Sequence, residues 1–207
     1  MAASGTGTIR SRGVEVFTAV LAVTQDREEL EDQACPVRHG AAGNLIEGHL
    51  QTLKVEDIDV DLWDKVMAVN IRGPFLMVKH VAPHMIARKY GKIVNIGSGT
   101  VARGIPFFSH YVTSKGAVTA FTRSISRELG EHGICVNTLA PGYTLSETGL
   151  QNTTHVAQSR ANAVQRRALK RDEYPEDLLG TLIYLCSSDS DFVSGQVLAV
   201  DGGANNT

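Results

Sequence analysis

The chain has 207 residues, enough for one ordinary domain with its own buried core. With 43% apolar residues, 20% charged residues and a net charge of -2, it is neither a disordered polymer nor a polycation suited to nucleic acid or an acidic membrane surface. No run approaches the roughly 18–20 apolar residues of a membrane span, and Cys35, Cys135 and Cys186 lack CxxC spacing, so a reduced, cytoplasmic compartment is expected.

In chain order, the first thirteen residues (MAASGTGTIRSRG) read as a disordered leader. Val14–Thr24 has the composition of one strand, and Gln25–Gln33 is a charged run compatible with helix. Only about one strand–helix unit fits into this opening stretch. Asp61–Tyr90 is helix-like, with Leu62, Val66, Val69, Leu76 and Val78 among its apolar positions; Pro83 is expected to kink or break it and Gly91 to stop it. Lys92–Ile96 (KIVNI) predicts a short buried strand, and Tyr111–Leu129 an amphipathic helix closed by Gly130 and Gly133. Ile134–Leu139 predicts a further strand that ends at Ala140-Pro141-Gly142. Residues 143–172 are polar and lack a firm period, which predicts short helices in a mobile lid. Pro175 suits the first turn of a helix running through Leu185, and Gln196–Val200 is a last strand turned by Asp201-Gly202-Gly203. Such alternation of strand and helix means a parallel sheet with helices on its faces.

The chemistry concentrates at Tyr111-x-x-x-Lys115, with Ser98 thirteen residues before the tyrosine and Asn70 further upstream. Residues four apart share one helical face, so phenol and ammonium can enter one cleft. A free tyrosine titrates near 10; a cation held beside it is expected to bring it toward the working range. Ser98 follows the KIVNI strand at its carboxyl end, where parallel sheets place ligands, and its hydroxyl can polarise a carbonyl. YxxxK alone is a weak pattern that usually marks a solvated helix; the ordered company it keeps makes it specific.

That company carries a family resemblance. Val69-Asn70-Ile71-Arg72-Gly73, Lys92–Ser98, His110–Ala117 (with YxxSK), Gly133–Gly142 and Phe192–Gly203 occur in the order and spacing of the short-chain dehydrogenase/reductase family, over roughly residues 60–203. The resemblance implies a Rossmann-like doubly wound parallel sheet with helices on both faces, missing early strands. It implies NAD or NADP as cofactor and a small ketone or secondary alcohol as substrate, with a homo-oligomer, dimer or tetramer, and neither nucleic acid nor membrane as partner. It makes Tyr111 the general acid of reduction and base of oxidation. Lys115 lowers the tyrosine pKa and binds the nicotinamide ribose, Ser98 orients the carbonyl, and Asn70 bends its helix and holds a water on a relay from Lys115. Pro141, Gly142 and Thr144 match the stretch on the nicotinamide side, and Ser146 falls near the pyrophosphate.

The opening residues depart from the family. Its TGxxxGxG turn has no match: Gly5-Thr6-Gly7-Thr8-Ile9-Arg10 begins like one, but Arg10 stands in place of the third glycine. Ala41-Ala42-Gly43 is the nearest approach to its NNAG turn, and the spacing from Asn70 points instead to Leu45–Gly48. Residues 1–45 are therefore read as an atypical remnant of the dinucleotide-binding part, deleted and rejoined or read from another frame, and 46–207 as the catalytic part of one domain. Two functions follow: an NAD(P)-dependent oxidoreductase, or a catalytically impaired relative acting only through subunit association.

Three smaller signals have plainer readings. His80 and His84 have helical metal-ligand spacing but no HExxH glutamate, so a solvated face is expected and no metal. Arg166, Arg167, Lys170 and Arg171 read as a solvated helix surface that could meet an anionic group. Trp63 and Phe107-Phe108 are expected to pack, the latter pair near the substrate mouth.

Overall fold

The computed structural model describes residues 20–23, 52–145 and 153–205. The leader, the charged run at 25–33, both candidate glycine turns and Ser146 lie outside the described residues. The elements are β1 (Val20–Val23), α1 (Val60–Met67), α2 (Gly73–Arg88), β2 (Gly91–Ile96), α3 (Thr100–Arg103), α4 (Ser109–Leu129), β3 (Ile134–Pro141), α5 (Thr153–Arg166), α6 (Glu176–Cys186) and β4 (Val197–Val200).

The described strands form one sheet in the order β1-β2-β3-β4. β2 and β3 pair in parallel from Gly91↔Ile134 to Ile96↔Leu139, and β3 and β4 from Thr138↔Val197 to Pro141↔Val200. Nearly every residue of β2 and β3 is buried, as helices on both faces require, and this includes the polar Lys92, Asn95, Asn137 and Thr138. Ile93, Ile134 and Val136 face one side and meet Val78 and Met85 of α2 and Ile125 and Leu129 of α4. Val94 and Leu139 face the other and meet Leu185 of α6. The core is thus two apolar layers with the sheet between them.

Five expectations need correction. The sheet is not wholly parallel: β1 runs antiparallel to β2, with Val20 opposite Asn95 and Val23 opposite Lys92. An edge strand of reversed direction on a parallel sheet keeps its hydrogen bonds and needs no return crossover. The long helix expected over 61–90 is two helices joined by a π turn at Ala68–Arg72. Pro83 sits inside α2 without breaking it, because Val78 and Met85 on either side of it are locked into the core. Lys89, not Gly91, ends that helix, in the left-handed conformation with φ 56°. Finally, the supposed short lid helices include one of fourteen residues, α5.

Gly133 is required where it stands. Its φ is 72°, and a Cβ there would lie 2.5 Å from the Lys89 carbonyl oxygen, so the turns into β2 and β3 touch backbone to backbone.

Candidate active site

The loop after β2 is fixed by continuing the sheet's bonding. Gly97 N donates to Leu139 O at 2.8 Å and Gly99 N to Pro141 O at 2.9 Å, which presents Ser98 at the carboxyl ends of the parallel strands. Ser98 Oγ accepts from Thr100 N (3.2 Å) and Thr100 Oγ1 (2.9 Å). Both hydroxyl lone pairs are thereby used, so the Ser98 proton is what remains to be given.

The first turns of α4 bring Tyr111 and Lys115 to the same place. The Tyr111 phenol hydrogen-bonds to Ser98. Lys115 Nζ lies 5.8 Å from the Tyr111 ring centroid and donates to Ile96 O at 3.0 Å, the last carbonyl of β2. Both side chains are buried. Asn70 lies in the π turn, where one extra residue widens the helix and turns the side chain inward. Its Nδ2 donates to Ser114 Oγ at 2.9 Å, and Ser114 Oγ donates to Tyr111 O at 2.7 Å. Four residues from three segments, Asn70, Ser98, Tyr111 and Lys115, therefore form one connected cluster.

Burial governs the electrostatics. It pushes the Tyr111 phenol up to about 12, with the Ser98 hydrogen bond pulling the other way, and pushes the Lys115 ammonium down to about 7. The expected lowering of the phenol by Lys115 is therefore not found. Desolvation is the largest cause at both groups.

Pro141, Gly142 and Thr144 follow β3 beside this cluster and are held by a residue the sequence did not flag. Glu173 Oε1 accepts from Gly142 N (3.1 Å) and Thr144 Oγ1 (2.6 Å), and Oε2 pairs with Arg167 Nη2 at 3.0 Å. Arg167 also donates to Tyr143 O at 2.6 Å. Glu173 and Arg167 are 4% and 3% exposed, which corrects the reading of the basic run as wholly solvated. Burial pushes the Glu173 carboxyl up, opposed by its bonds from Thr144, Arg167 and Gly142. No local pattern announces this knot: its partners lie 29 and 31 residues apart in an aperiodic stretch. A Cβ at Gly142 would sit 2.5 Å from Glu173 Oε2, so this position too must be glycine.

The donor set suits the nicotinamide half of a dinucleotide: hydroxyl, phenol and amine donors converge where a carbonyl and ribose hydroxyls could meet them. β1 does not end on that side of the sheet. Its carboxyl end, Val23, lies opposite Lys92, near the start of β2 and away from Ser98.

Comparison with known proteins agrees with this architecture. A family model described as enoyl-(acyl carrier protein) reductase matches residues 41–205. The gluconate 5-dehydrogenase of Gluconobacter oxydans is 34% identical, over 93% of this chain and 76% of its own. The 2-(S)-hydroxypropyl-CoM dehydrogenase 3 of Xanthobacter autotrophicus is 37% identical over 72% of this chain. A crystal structure of a gluconate 5-dehydrogenase from Burkholderia cenocepacia, in complex with NADP and tartrate, superposes with a TM-score of 0.67 at 35% identity, covering 74% of this chain. The chain belongs to the short-chain dehydrogenase/reductase family, and its fold is the Rossmann-like α/β fold of that family. The matched stretch spans 60% of the length of the Xanthobacter protein and 60% of the Burkholderia one. Among the described residues no helix is long and apolar enough to cross a membrane.

Proposed function

We propose that the protein is an NAD(P)-dependent oxidoreductase that interconverts a ketone and a secondary alcohol. The observation that carries this reading is the convergence of Ser98, Tyr111 and Lys115 at the carboxyl end of β2. A bound nicotinamide supplies or accepts the hydride. The chain's own groups handle the proton. In reduction Tyr111 donates its phenolic proton to the carbonyl oxygen while Ser98, its lone pairs held by Thr100, donates a hydrogen bond to the same oxygen. In oxidation Tyr111 takes the hydroxyl proton back. A phenol pushed up to about 12 stays protonated at neutral pH, which suits the reductive direction.

Lys115 binds the nicotinamide ribose and links the phenol to the proton relay. Asn70 is a positioning residue: through Ser114 it fixes the carbonyl of Tyr111, and on this reading it also holds the relay water. Pro141, Gly142 and Thr144 border the nicotinamide, and Ser146 lies toward the pyrophosphate. The working form is a homo-oligomer. Fluorescence titration with NADH and NADPH tests the reading; saturable binding of either supports it, and no binding at millimolar levels removes it.

A second reading, association without turnover, is favoured by Phe75 and Leu76 of α2, which are 46% and 42% exposed. It predicts a multimer by sedimentation that binds neither nucleotide.

A further inference from the structure

α3 begins two residues after Ser98 and ends at Arg103, so Arg103 is carried on the same segment as Ser98. Arg103 shares its surroundings with Arg166, Arg167, and the Asp201 carboxylate. These cations are not evenly satisfied. Arg167 is taken up by Tyr143 O, Arg171 O and Glu173. Asp201 is occupied by its own turn: Oδ1 accepts from Gly203 N and Ala204 N, and Oδ2 from Asn205 N, each at 3.0 Å. Glu173 is occupied by Gly142, Thr144 and Arg167. Arg103 Nε is buried and has no acceptor among the described residues.

The charges that act on Arg103 are the guanidiniums of Arg166 and Arg167 and the Asp201 carboxylate, and the Glu173 carboxylate is already paired with Arg167. A buried donor without an acceptor, in a field of like charge, is costly to keep. Burial, then Arg166 and Arg167, lower the Arg103 pKa, with Asp201 opposing, so this position favours any anion that enters. Arginine also offers the paired N–H geometry that a carboxylate matches with two bonds.

We propose that Arg103, backed by Arg166, forms an anion subsite that receives the carboxylate of a keto or hydroxy acid whose reacting carbon lies at Ser98 and Tyr111. Arg103 stands five positions after Ser98 at the far end of α3, which fits an acid group a few bonds from the reacting carbon. The proposal rests on the oxidoreductase reading for its reacting carbon only. Dinucleotide phosphates are the competing anion. The residues on the nicotinamide side, Gly142 and Thr144, are held by Glu173, whereas Arg103 rides on the segment that carries Ser98.

Tartrate, the dicarboxylate in the Burkholderia complex, is the probe, and its dimethyl ester is the neutral control. Isothermal titration at constant low ionic strength measures both against wild type, Arg103→Gln, Arg103→Lys and Arg166→Gln. Saturable tartrate binding is expected, weaker by about tenfold in R103Q and about threefold in R166Q, partly restored in R103K, and absent for the ester. Arg166 is exposed, so R166Q reports on the subsite even if R103Q fails to fold. The proposal is overturned if tartrate does not bind, if ester and acid bind alike, if neither glutamine variant weakens binding, or if NADPH displaces tartrate competitively. Direct NADPH titration keeps the two readings apart. Intact NADPH binding with no tartrate discrimination sinks the subsite alone; intact tartrate discrimination without NADPH binding sinks the oxidoreductase alone.

Discussion

β1 and β3 are both sheet strands in one chain, yet they follow from the sequence in different ways. β3 lies between two parallel neighbours and is buried on both faces, with Asn137 and Thr138 buried among its apolar residues, and its place is fixed by helices before and after it. β1 lies at the edge and runs the other way. Side-chain alternation tells which faces of a strand are covered but carries no sign for direction, since a reversed strand shows the same pattern. Direction comes from the connections, and a wholly parallel sheet was the default where the connection gave no signal. The site sits on the strands whose direction was legible.

The largest effect that would sharpen this contrast is at Tyr111. Tyr111→Phe should lower kcat/KM for ketone reduction by about 10³-fold, within the usual range for a lost general acid, with NADPH affinity little changed. Steady-state kinetics and a separate binding titration check it; a loss below tenfold would break the link between the parallel strands and the chemistry.

Next comes the knot beside β3. Glu173→Ala leaves Arg167 buried without its partner and frees two donors of residues 142–144, at a cost of about 3–5 kcal/mol in urea unfolding. The double change Glu173→Met with Arg167→Met should recover much of that loss.

A smaller, pH-dependent effect belongs to Lys115. Its folded pKa of about 7 lies below its unfolded value of 10.5, so between these the unfolded chain binds more protons and stability rises with pH. From pH 7 to 9 wild type should gain about 2 kcal/mol relative to Lys115→Met, as measured by denaturant midpoints. An equal pH response in both proteins would mean that the ammonium is solvated.

The smallest effect tests the edge itself. β2 amides bonded to β1 should exchange with deuterium about tenfold faster than those bonded to β3, because an edge strand opens without unfolding the core. Equal protection would make β1 as firmly held as the parallel strands.

Much of the site was readable because its members sit at fixed distances along regular elements. Tyr111 and Lys115 are one helical turn apart, and Ser98 follows a strand that its apolar run announces. What escaped was long-range and polar. Glu173 is tied to Gly142 and Thr144 by bonds across a stretch with no period, and Arg167 hides inside a run of cations that otherwise reads as surface. The pKa of Tyr111 escaped as well, since desolvation depends on everything packed around the ring rather than on its neighbour in sequence. Pro83 shows the opposite: a strong local rule against proline in a helix is overruled by packing at Val78 and Met85.

The π turn at Ala68–Arg72 changes how any alteration upstream of it propagates. The π turn spends one residue more than an α turn on the same rotation, so the apolar pattern of α2 is shifted by one position in sequence relative to that of α1. Deleting a single residue between Met67 and Gly73 would turn the π turn into an α turn and leave the apolar side of α2 on the sheet, at the expense of the inward placement of Asn70. A deletion inside the regular part of α2, which has no such turn to absorb it, is by contrast a change of phase that reaches Met85 and its place in the core.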